Sequence, residues 1–273
     1  MYNGIMIKEI RNTLIVIRGA GDLATGTAVR LHNAGFPIVM LDIEKPTVIR
    51  RNVSFAQALL TGETEVEGIR ARSCTKADAL STAQSGVIAV VADPDAELVK
   101  TLKPQILIDA ILAKKNLGTR RDMAPFTVAL GPGFEAGKDV DAVIETKRGH
   151  TLGRVIYKGS AIANTGIPGV IGGFGKERVI HSPCAGTFRA ACEIGDIVNA
   201  GQIVAYVNDV PVRTVIVGKV RGMLYSGLEV PEGFKVADVD PRGNEVDHTT
   251  CSDKTLAIGG GVLEAVMHYL SEK

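Results

Sequence analysis

Cysteine is scarce and scattered: Cys74, Cys184, Cys192 and Cys251 form no C-x-x-C pair. That argues against a disulfide framework and against a structural zinc site. An excess of one charge is also lacking, since 31 Lys and Arg face 30 Asp and Glu for a net charge of +1. The balance excludes the basic surface of a nucleic-acid partner and the like-charge block of an interaction tail. No apolar run approaches the roughly 18 residues of a membrane span, and the opening MYNGIMIKEIRN has no signal-peptide core. The expectation is a cytoplasmic protein with neither nucleic acid nor membrane as partner. Its 273 residues suffice for one large domain or two small ones, with a core that needs no staples. Tryptophan is absent altogether, whereas glycine reaches 31 residues without a low-complexity tract, which signals many tight turns.

The first part of the chain alternates β-branched apolar runs with helical patterns. Thr13–Arg18 reads as a buried strand; Leu23, Ala24, Ala28 and Leu31 then recur at helical spacing, with Gly35 placed as a C-terminal cap and Pro37 as a stop. Ile38–Leu41, Val87–Ala92, Ile106–Ala110, Phe126–Leu130 and Ala142–Glu145 supply further strands. Near-continuous apolar runs suit a parallel sheet covered by helices on both faces, so the fold class expected is α/β, with a Rossmann-like doubly wound sheet over residues 1–175. Lys158–Gly175, crowded with glycine, reads as a long loop or linker. Residues 176–251 form a small all-β domain, and 252–273 a helix that returns to the first domain. Ser252 is a candidate N-cap, and Leu263, Val266, Met267 and Leu270 form a candidate apolar face.

Gly19-Ala20-Gly21-Asp22-Leu23-Ala24 fits G-x-G-x-x-[GA] between a strand and a helix. The first glycine makes the turn, the second lets backbone approach a pyrophosphate, and the helix N-terminus offers N–H groups to an anion. Asp42, twenty-one residues after Gly21, sits at the end of the next strand, where an acidic residue binds ribose hydroxyls. The candidate cofactor-binding residues are therefore Gly19, Ala20, Gly21, Asp22, Leu23 and Asp42, and the ligand class is NAD or another nucleotide. Asp42 repels a 2′-phosphate and favours NAD over NADP. Lys45, Arg50 and Arg51 follow closely, either to reverse that preference or as a solvated helix face. Asp22 in the turn disfavours a phosphate unless it faces away, capping the helix start.

Other signals in this half are weaker. Gly131-Pro132-Gly133-Phe134 follows a strand, as a ligand loop or as a plain turn. Asp109, Lys114, Lys115 and Asn116 lie at or after another strand end, and Glu145, Lys147, Arg148 and His150 after the last one. His150 is the candidate acid/base histidine, with polar surface as the alternative. No Ser-His-Asp, paired-carboxylate or H-E-x-x-H pattern is present, so the sequence names no catalytic residue and no metal ligand.

The β region contains an internal repeat, VIHSPCAGTFRAACEIGDIVNAGQIVAYV and then VIVGKVRGMLYSGLEVPEGFKVADV. Gly186 matches Gly222, while Gly195, Val198 and Gly201 match Gly227, Val230 and Gly233. Two units of one design are expected to pack together, because neither buries its apolar face alone. Ala185-Gly186-Thr187-Phe188 and Gly195–Gly201 (GDIVNAG) resemble the biotinyl/lipoyl barrel-sandwich. Carrier domains of that type bear a modified lysine on the exposed hairpin, which here is Asn208-Asp209-Val210-Pro211, without lysine; Lys219 lies outside the tip. A partner-binding or site-covering module is expected instead of a swinging arm. Cys184 and Cys192 read as small buried apolar residues.

The segments LIVIRGAGDLATGTAVRLHNAGFPIVMLDIEKPTVIRR, LIDAILAKKNLGT, ALGPGFEAGKDVDAVIETKRGHTLGRVIYKGSA, NTGIPGVIGG and SDKTLAIGGGVLEAV together resemble the accessory protein family of the selenium-dependent molybdenum hydroxylase system. The resemblance implies a role in maturing the molybdenum cofactor of hydroxylases of the xanthine dehydrogenase type. A hydroxylase would then be the protein partner, and a small-molecule nucleotide or pterin, the molybdenum cofactor included, the ligand. More distantly, Ile258–Glu264 (IGGGVLE) is similar to an I-G-G-G-x-x-E stretch of xanthine dehydrogenase accessory proteins, although there it lies near the N-terminus. The glycines of that stretch are equally suited to close packing between backbone elements. An NAD-dependent oxidoreductase and a non-enzymatic assembly scaffold are the competing readings.

Overall fold

The computed structural model of the chain describes residues 9–164, 166 and 169–272. The fold divides into two compact units. The first comprises residues 9–46, Ser54–Asn164 and residues 251–272; the second comprises Thr47–Val53 and the described part of Thr165–Thr250.

The first unit is α/β. Its strands are β1 (Ile15–Arg18), β2 (Ile38–Asp42), β3 (Glu63–Val66), β4 (Ile69–Ser73), β5 (Ile88–Ala92), β6 (Ile106–Asp109), β7 (Phe126–Leu130), β8 (Ala142–Ile144) and β9 (Val155–Ile156). They join in the order β3-β4-β5-β2-β1-β6-β7-β8-β9. All pairs from β4 to β8 are parallel, and β3 and β9 add antiparallel edges. The near-continuous apolar runs become central strands because both faces are covered: every side chain of β1, β6 and β7 is buried. The β3–β4 hairpin lacks that signature, since charged residues interrupt its apolar ones and stay exposed.

The helices are α1 (Asp22–Asn33), α2 (Ala58–Thr61), α3 (Ala79–Gln84), α4 (Glu97–Leu102) and α5 (Asp253–Ser271). At the end of α1, Gly35 takes φ +97°, its N–H donates to His32 O, and the N–H of Phe36 donates to Leu31 O. This is the paired bonding of a Schellman cap, which needs a left-handed residue at that point. The expected strand–helix alternation stops after β6: β6 to β7 carries only the 3₁₀ turn Arg121–Met123, and β7 to β8 is a loop. Helix α5 supplies cover from the far end of the chain, packing on α1 and against β7, β8 and β9. Ser252 caps it, its hydroxyl accepting from the Thr255 N–H. The buried face differs from the expected one: Ile258, Val262, Ala265 and Val266 are buried, while Met267 is exposed. Two of its glycines are buried because backbone passes against them. A Cβ on Gly259 would lie 2.6 Å from Gly26 O, and one on Gly261 would collide with Gly153 O.

The second unit is antiparallel. Its strands are β10 (Val179–His181), β11 (Gly186–Ala190), β12 (Ile197–Val198), β13 (Ile203–Val207), β14 (Val210–Arg213), β15 (Gly218–Met223), β16 (Glu229–Val230) and β17 (Lys235–Asp240). They form two four-stranded sheets, β10-β17-β15-β12 and β14-β13-β11-β16. The repeat explains the pairing. Within each copy the long strands pair, β11 with β13 and β15 with β17, but each short strand crosses to the other copy, β12 to β15 and β16 to β11. One core results, with Phe188, Val198, Val204 and Val207 from the first copy and Val220, Met223, Val236 and Val239 from the second. The matched glycines Gly195 and Gly227, and Gly201 and Gly233, all have φ between +73° and +110°. Left-handed turns at equivalent points are what the shared spacing encodes.

The β13–β14 hairpin turns on Asn208 and Asp209, Val207 pairing with Val210. Lys219 is buried on β15 and donates to Val246 O at 3.0 Å, far from the posture of a carrier lysine. Cys184 and Cys192 pack against the core, their thiols donating to Val207 O and Val204 O. Lys158–Gly175 contains no strand or helix among its described residues, only isolated bridges at Gly159 and between Ile171 and Phe174. Arg50 and Arg51 do not lie on a helix face. Arg51 opens the 3₁₀ turn Arg51–Val53 and donates from Nε to Met223 O at 2.8 Å, within the second unit. No helix among the described residues is long and apolar enough to cross a membrane.

Candidate functional site

Parallel pairing from β4 to β8 aligns the carboxyl ends of those strands along one edge of the sheet, and sequence order reverses at β1. From β1 the chain builds outward through β2 and β5, then returns to β6 on the other side and builds outward through β7 and β8. Open parallel sheets bind ligands outside the carboxyl ends at such a reversal. The turn after β1 is Gly19-Ala20-Gly21, leading directly into α1.

Backbone crowding shapes this turn. Gly19 has φ +97°, and a Cβ there would lie 2.6 Å from Ala110 O, just beyond β6. Its N–H donates to Leu41 O at 2.6 Å. Ala20 is fully buried: its N–H donates to Asp42 Oδ2 at 2.7 Å and its carbonyl accepts from the Ala56 N–H at 2.8 Å. Gly19 and Ala20 are thus turn-builders, and Gly21, Asp22 and Leu23, each half-buried, form the accessible edge. Gly21 is the N-cap of α1 with φ −68° and ψ −176°, a conformation open to any residue. Conformation therefore does not require glycine there.

Asp42 is where the sequence places it, at the end of β2, and its carboxylate is already engaged. Besides the Ala20 N–H, Oδ1 accepts from the Ile43 N–H at 2.8 Å. Burial raises its pKa above the ordinary 3.8, against the lowering effect of those two amides. Each carboxylate oxygen offers two acceptor positions and these amides take one on each.

Asp22 folds back on the helix start, Oδ1 accepting from the Leu23 N–H at 2.9 Å. Its charge acts on Lys254 at the start of α5, a residue sequence reasoning missed. Burial first, then the charge of Arg148, holds the Lys254 ammonium below its ordinary pKa, while Asp22, Glu145 and Asp253 act in the opposite sense. Arg148 itself forms a two-pronged pair with Asp253, at 2.6 and 2.9 Å. α1 and α5 pack together, and the charges of Asp22 and Lys254 near their starts act on one another.

The weaker candidates resolve into supporting roles. Asp109 is buried; Oδ2 accepts from Thr119 Oγ1 at 2.6 Å and Oδ1 from the Ile111 N–H at 3.2 Å. Arg18, at the end of β1, donates to the same Thr119 hydroxyl at 2.5 Å. Asn116 Oδ1 accepts from the Gly118 and Thr119 amides. Together these groups fix the loop after β6. Lys114 and Lys115 are exposed, their backbone packed against Gly133 of the Gly131–Phe134 turn. Glu145 is buried and accepts from the Lys147 and Ile162 amides, which fixes the loop after β8. His150 is exposed in that loop. A separate cleft of about 770 Å³ is lined by residues 95–104 and 118–125 and shares none with the Gly19–Leu23 turn.

No family model matches the chain. It is 53% identical over 273 residues to the uncharacterized protein YqeB of Escherichia coli K12. The alignment takes in 98% of this chain and 50% of YqeB, so the chain spans about half the length of that curated relative. Among solved structures, an aspartoacylase family protein from Mesorhizobium loti aligns at 12% identity over 83% of this chain and 56% of its own, with a TM-score of 0.23. The product-bound ectoine utilization protein EutE of Ruegeria pomeroyi aligns at 12% over 85% and 61%, with a TM-score of 0.24. At such scores neither likeness bears on fold or function.

Proposed function

We propose that the first unit is a Rossmann-like module holding a nucleotide, or a phosphate-bearing pterin of the molybdopterin type, and that the second is a barrel-sandwich contacting a protein partner. The observation that carries the ligand reading is the Gly19–Gly21 turn at the reversal of strand order, with Asp42 bonded to the turn's own amide. A phosphate would take the amides opened by Gly21 at the start of α1, with Lys254 balancing Asp22. A ribose or a similar diol would donate to the remaining positions on Asp42. The barrel-sandwich reading is supported by the two four-stranded sheets and the exchanged short strands of the repeat.

The sequence resemblance supplies the pathway: an accessory protein that matures selenium-dependent molybdenum hydroxylases of the xanthine dehydrogenase type. An NAD-dependent oxidoreductase is the second reading, and Asp42 at the end of β2 is the feature that favours it. Hydroxylase activity in host cells carrying Gly21→Val in place of the native gene separates maturation from scaffolding. A folded Gly21→Val protein at native abundance should leave hydroxylase activity reduced. Full activity would contradict a role for the turn and leave only a scaffold, and stoichiometric hydride transfer from NADH by the purified protein would favour the oxidoreductase.

A further inference from the structure

In the second unit, arginines gather around two buried acids. Asp238 and Asp240 lie two apart on β17, both buried. Arg178, ahead of β10 on one side, donates from Nη2 to Asp238 Oδ1 at 3.2 Å. Arg221 lies on β15 on the other side, where the register with β17 shifts between Val220 and Gly222 so that Arg221 is left as the bulged residue. Its Nη1 stands 3.6 Å from Asp240 Oδ2. Asp240 is already held from Nε and Nη2 of Arg242 at 3.0 and 2.8 Å. Three guanidinium groups thus share two carboxylates. Arg50 adds a fourth positive charge close enough to help depress the pKa of Arg221, after burial and together with Arg178.

Two donors in this cluster have no acceptor among the described residues. The Nε atoms of Arg178 and Arg221 are buried without a hydrogen-bond partner, the Arg178 side chain being only 7% exposed and that of Arg221 11%. A buried donor left unpaired costs about 1–3 kcal/mol, more for a charged group, and these two guanidinium groups, reaching the acids of one strand from either side, lack acceptors among the described residues. The backbone beside them suits an anion. Arg178 Nη1 donates to Gly169 O at 3.1 Å, which brings the glycine-rich stretch onto the cluster. Gly172, with φ +56°, packs against Pro241, next to Asp240.

We propose that Arg178 and Arg221, with the charge of Arg50, bind a phosphate group, free or as a phosphomonoester. Guanidinium forks match tetrahedral oxyanions, and such a ligand supplies acceptors for both orphaned Nε atoms. The site lies wholly within the second unit and shares no residue with the Gly19–Leu23 turn.

The test uses the full chain carrying Gly21→Val, so that phosphate binding at the other turn does not contribute. Titration calorimetry and thermal melts are run with inorganic phosphate and with glycerol 3-phosphate, against chloride at matched ionic strength. Either probe should raise Tm, and the tighter of the two identifies the source of the phosphate group. Arg221→Met should weaken binding at least tenfold, yet melt no lower than its parent without phosphate, because Arg242 keeps Asp240 paired. Arg50→Met provides a second variant and should weaken binding as well. No Tm response to either probe would overturn the proposal. So would unchanged binding in both variants, or a large loss of stability in Arg221→Met without phosphate, which would make that arginine purely structural.

Discussion

The three consecutive glycines of α5 should respond to alanine in different ways. In a helix interior, Gly→Ala gains about 0.5–1 kcal/mol from reduced backbone entropy. At Gly260 a Cβ meets nothing within 4 Å, so Gly260→Ala should realise that gain. At Gly259 the same Cβ would sit 2.6 Å from Gly26 O and 2.9 Å from Arg30 Cγ; the first contact is backbone and can be relieved only by moving α1 away from α5. Overpacking of this kind costs about 1–3 kcal/mol, so a net loss of about 1–2 kcal/mol is expected for Gly259→Ala. Gly261→Ala should lose more, because its Cβ would collide with Gly153 O and would also meet Ile144 Cγ2 at 3.2 Å. Gly26→Ala tests the contact from the opposite side, where the Cβ would lie 2.6 Å from the Thr255 Cβ. Urea unfolding followed by helical circular dichroism reads all four variants. If Gly259→Ala were as stabilising as Gly260→Ala, the α1–α5 packing would be wrong, and these glycines would need a ligand to explain them.

Other consequences are as direct. Thr119→Val removes the hydroxyl that links Arg18 to Asp109 and leaves both buried groups short of a partner. Denaturant unfolding should show a loss of about 2–3 kcal/mol. Asn208 turns the β13–β14 hairpin at φ +51° and accepts from the Thr187 N–H at 3.0 Å. In thermal melts Asn208→Ala should fall below Asn208→Gly by about 1 kcal/mol, since both lose the bond but only alanine strains the turn. Burial raises the Asp42 pKa above 3.8, so the fold favours the protonated acid. Its contribution to stability is present in full below about pH 4 and is lost as pH rises through the raised value. Wild-type stability relative to Asp42→Asn should therefore decline with rising pH across that window, as read by urea midpoints at successive pH values; a flat difference would refute it.

How much of this was readable from the sequence depends on the range of each interaction. β7 is found at its full extent and β2 and β6 to within a residue, because continuous β-branched runs between turn signals admit little else. The glycine turn and the position of Asp42 are local features and lie where the motif puts them. The β3–β4 hairpin escapes because Glu63, Glu65, Arg70 and Arg72 interrupt its apolar residues. The return of the C-terminal helix to the first unit is expected from the sequence, but not the strands it covers, because local periodicity cannot connect α5 to β7 and β8. Periodicity also misjudged which side of α5 is buried: the tightest contacts are made by Gly259 and Gly261, which carry no hydrophobic signal. In the repeat, spacing was readable but not the exchange of β12 and β16 between copies. Arg50 and Arg51 read as a solvated helix face or as residues setting the ligand preference, yet the Arg51 side chain finds its partner, Met223 O, on β15. Lys254 was invisible for the same reason, because only folding brings it to Asp22.

The central claim is that the Gly19–Leu23 turn holds a phosphate-bearing ligand whose ribose or diol engages Asp42. Native mass spectrometry of the purified chain with a competing panel of NAD, NADP, ATP, CTP and molybdopterin tests it most directly. The account predicts selective retention of one member, abolished in a folded Gly21→Val protein and weakened in Asp42→Ala. Retention that survives Gly21→Val, or no retention of any of the five, would contradict it.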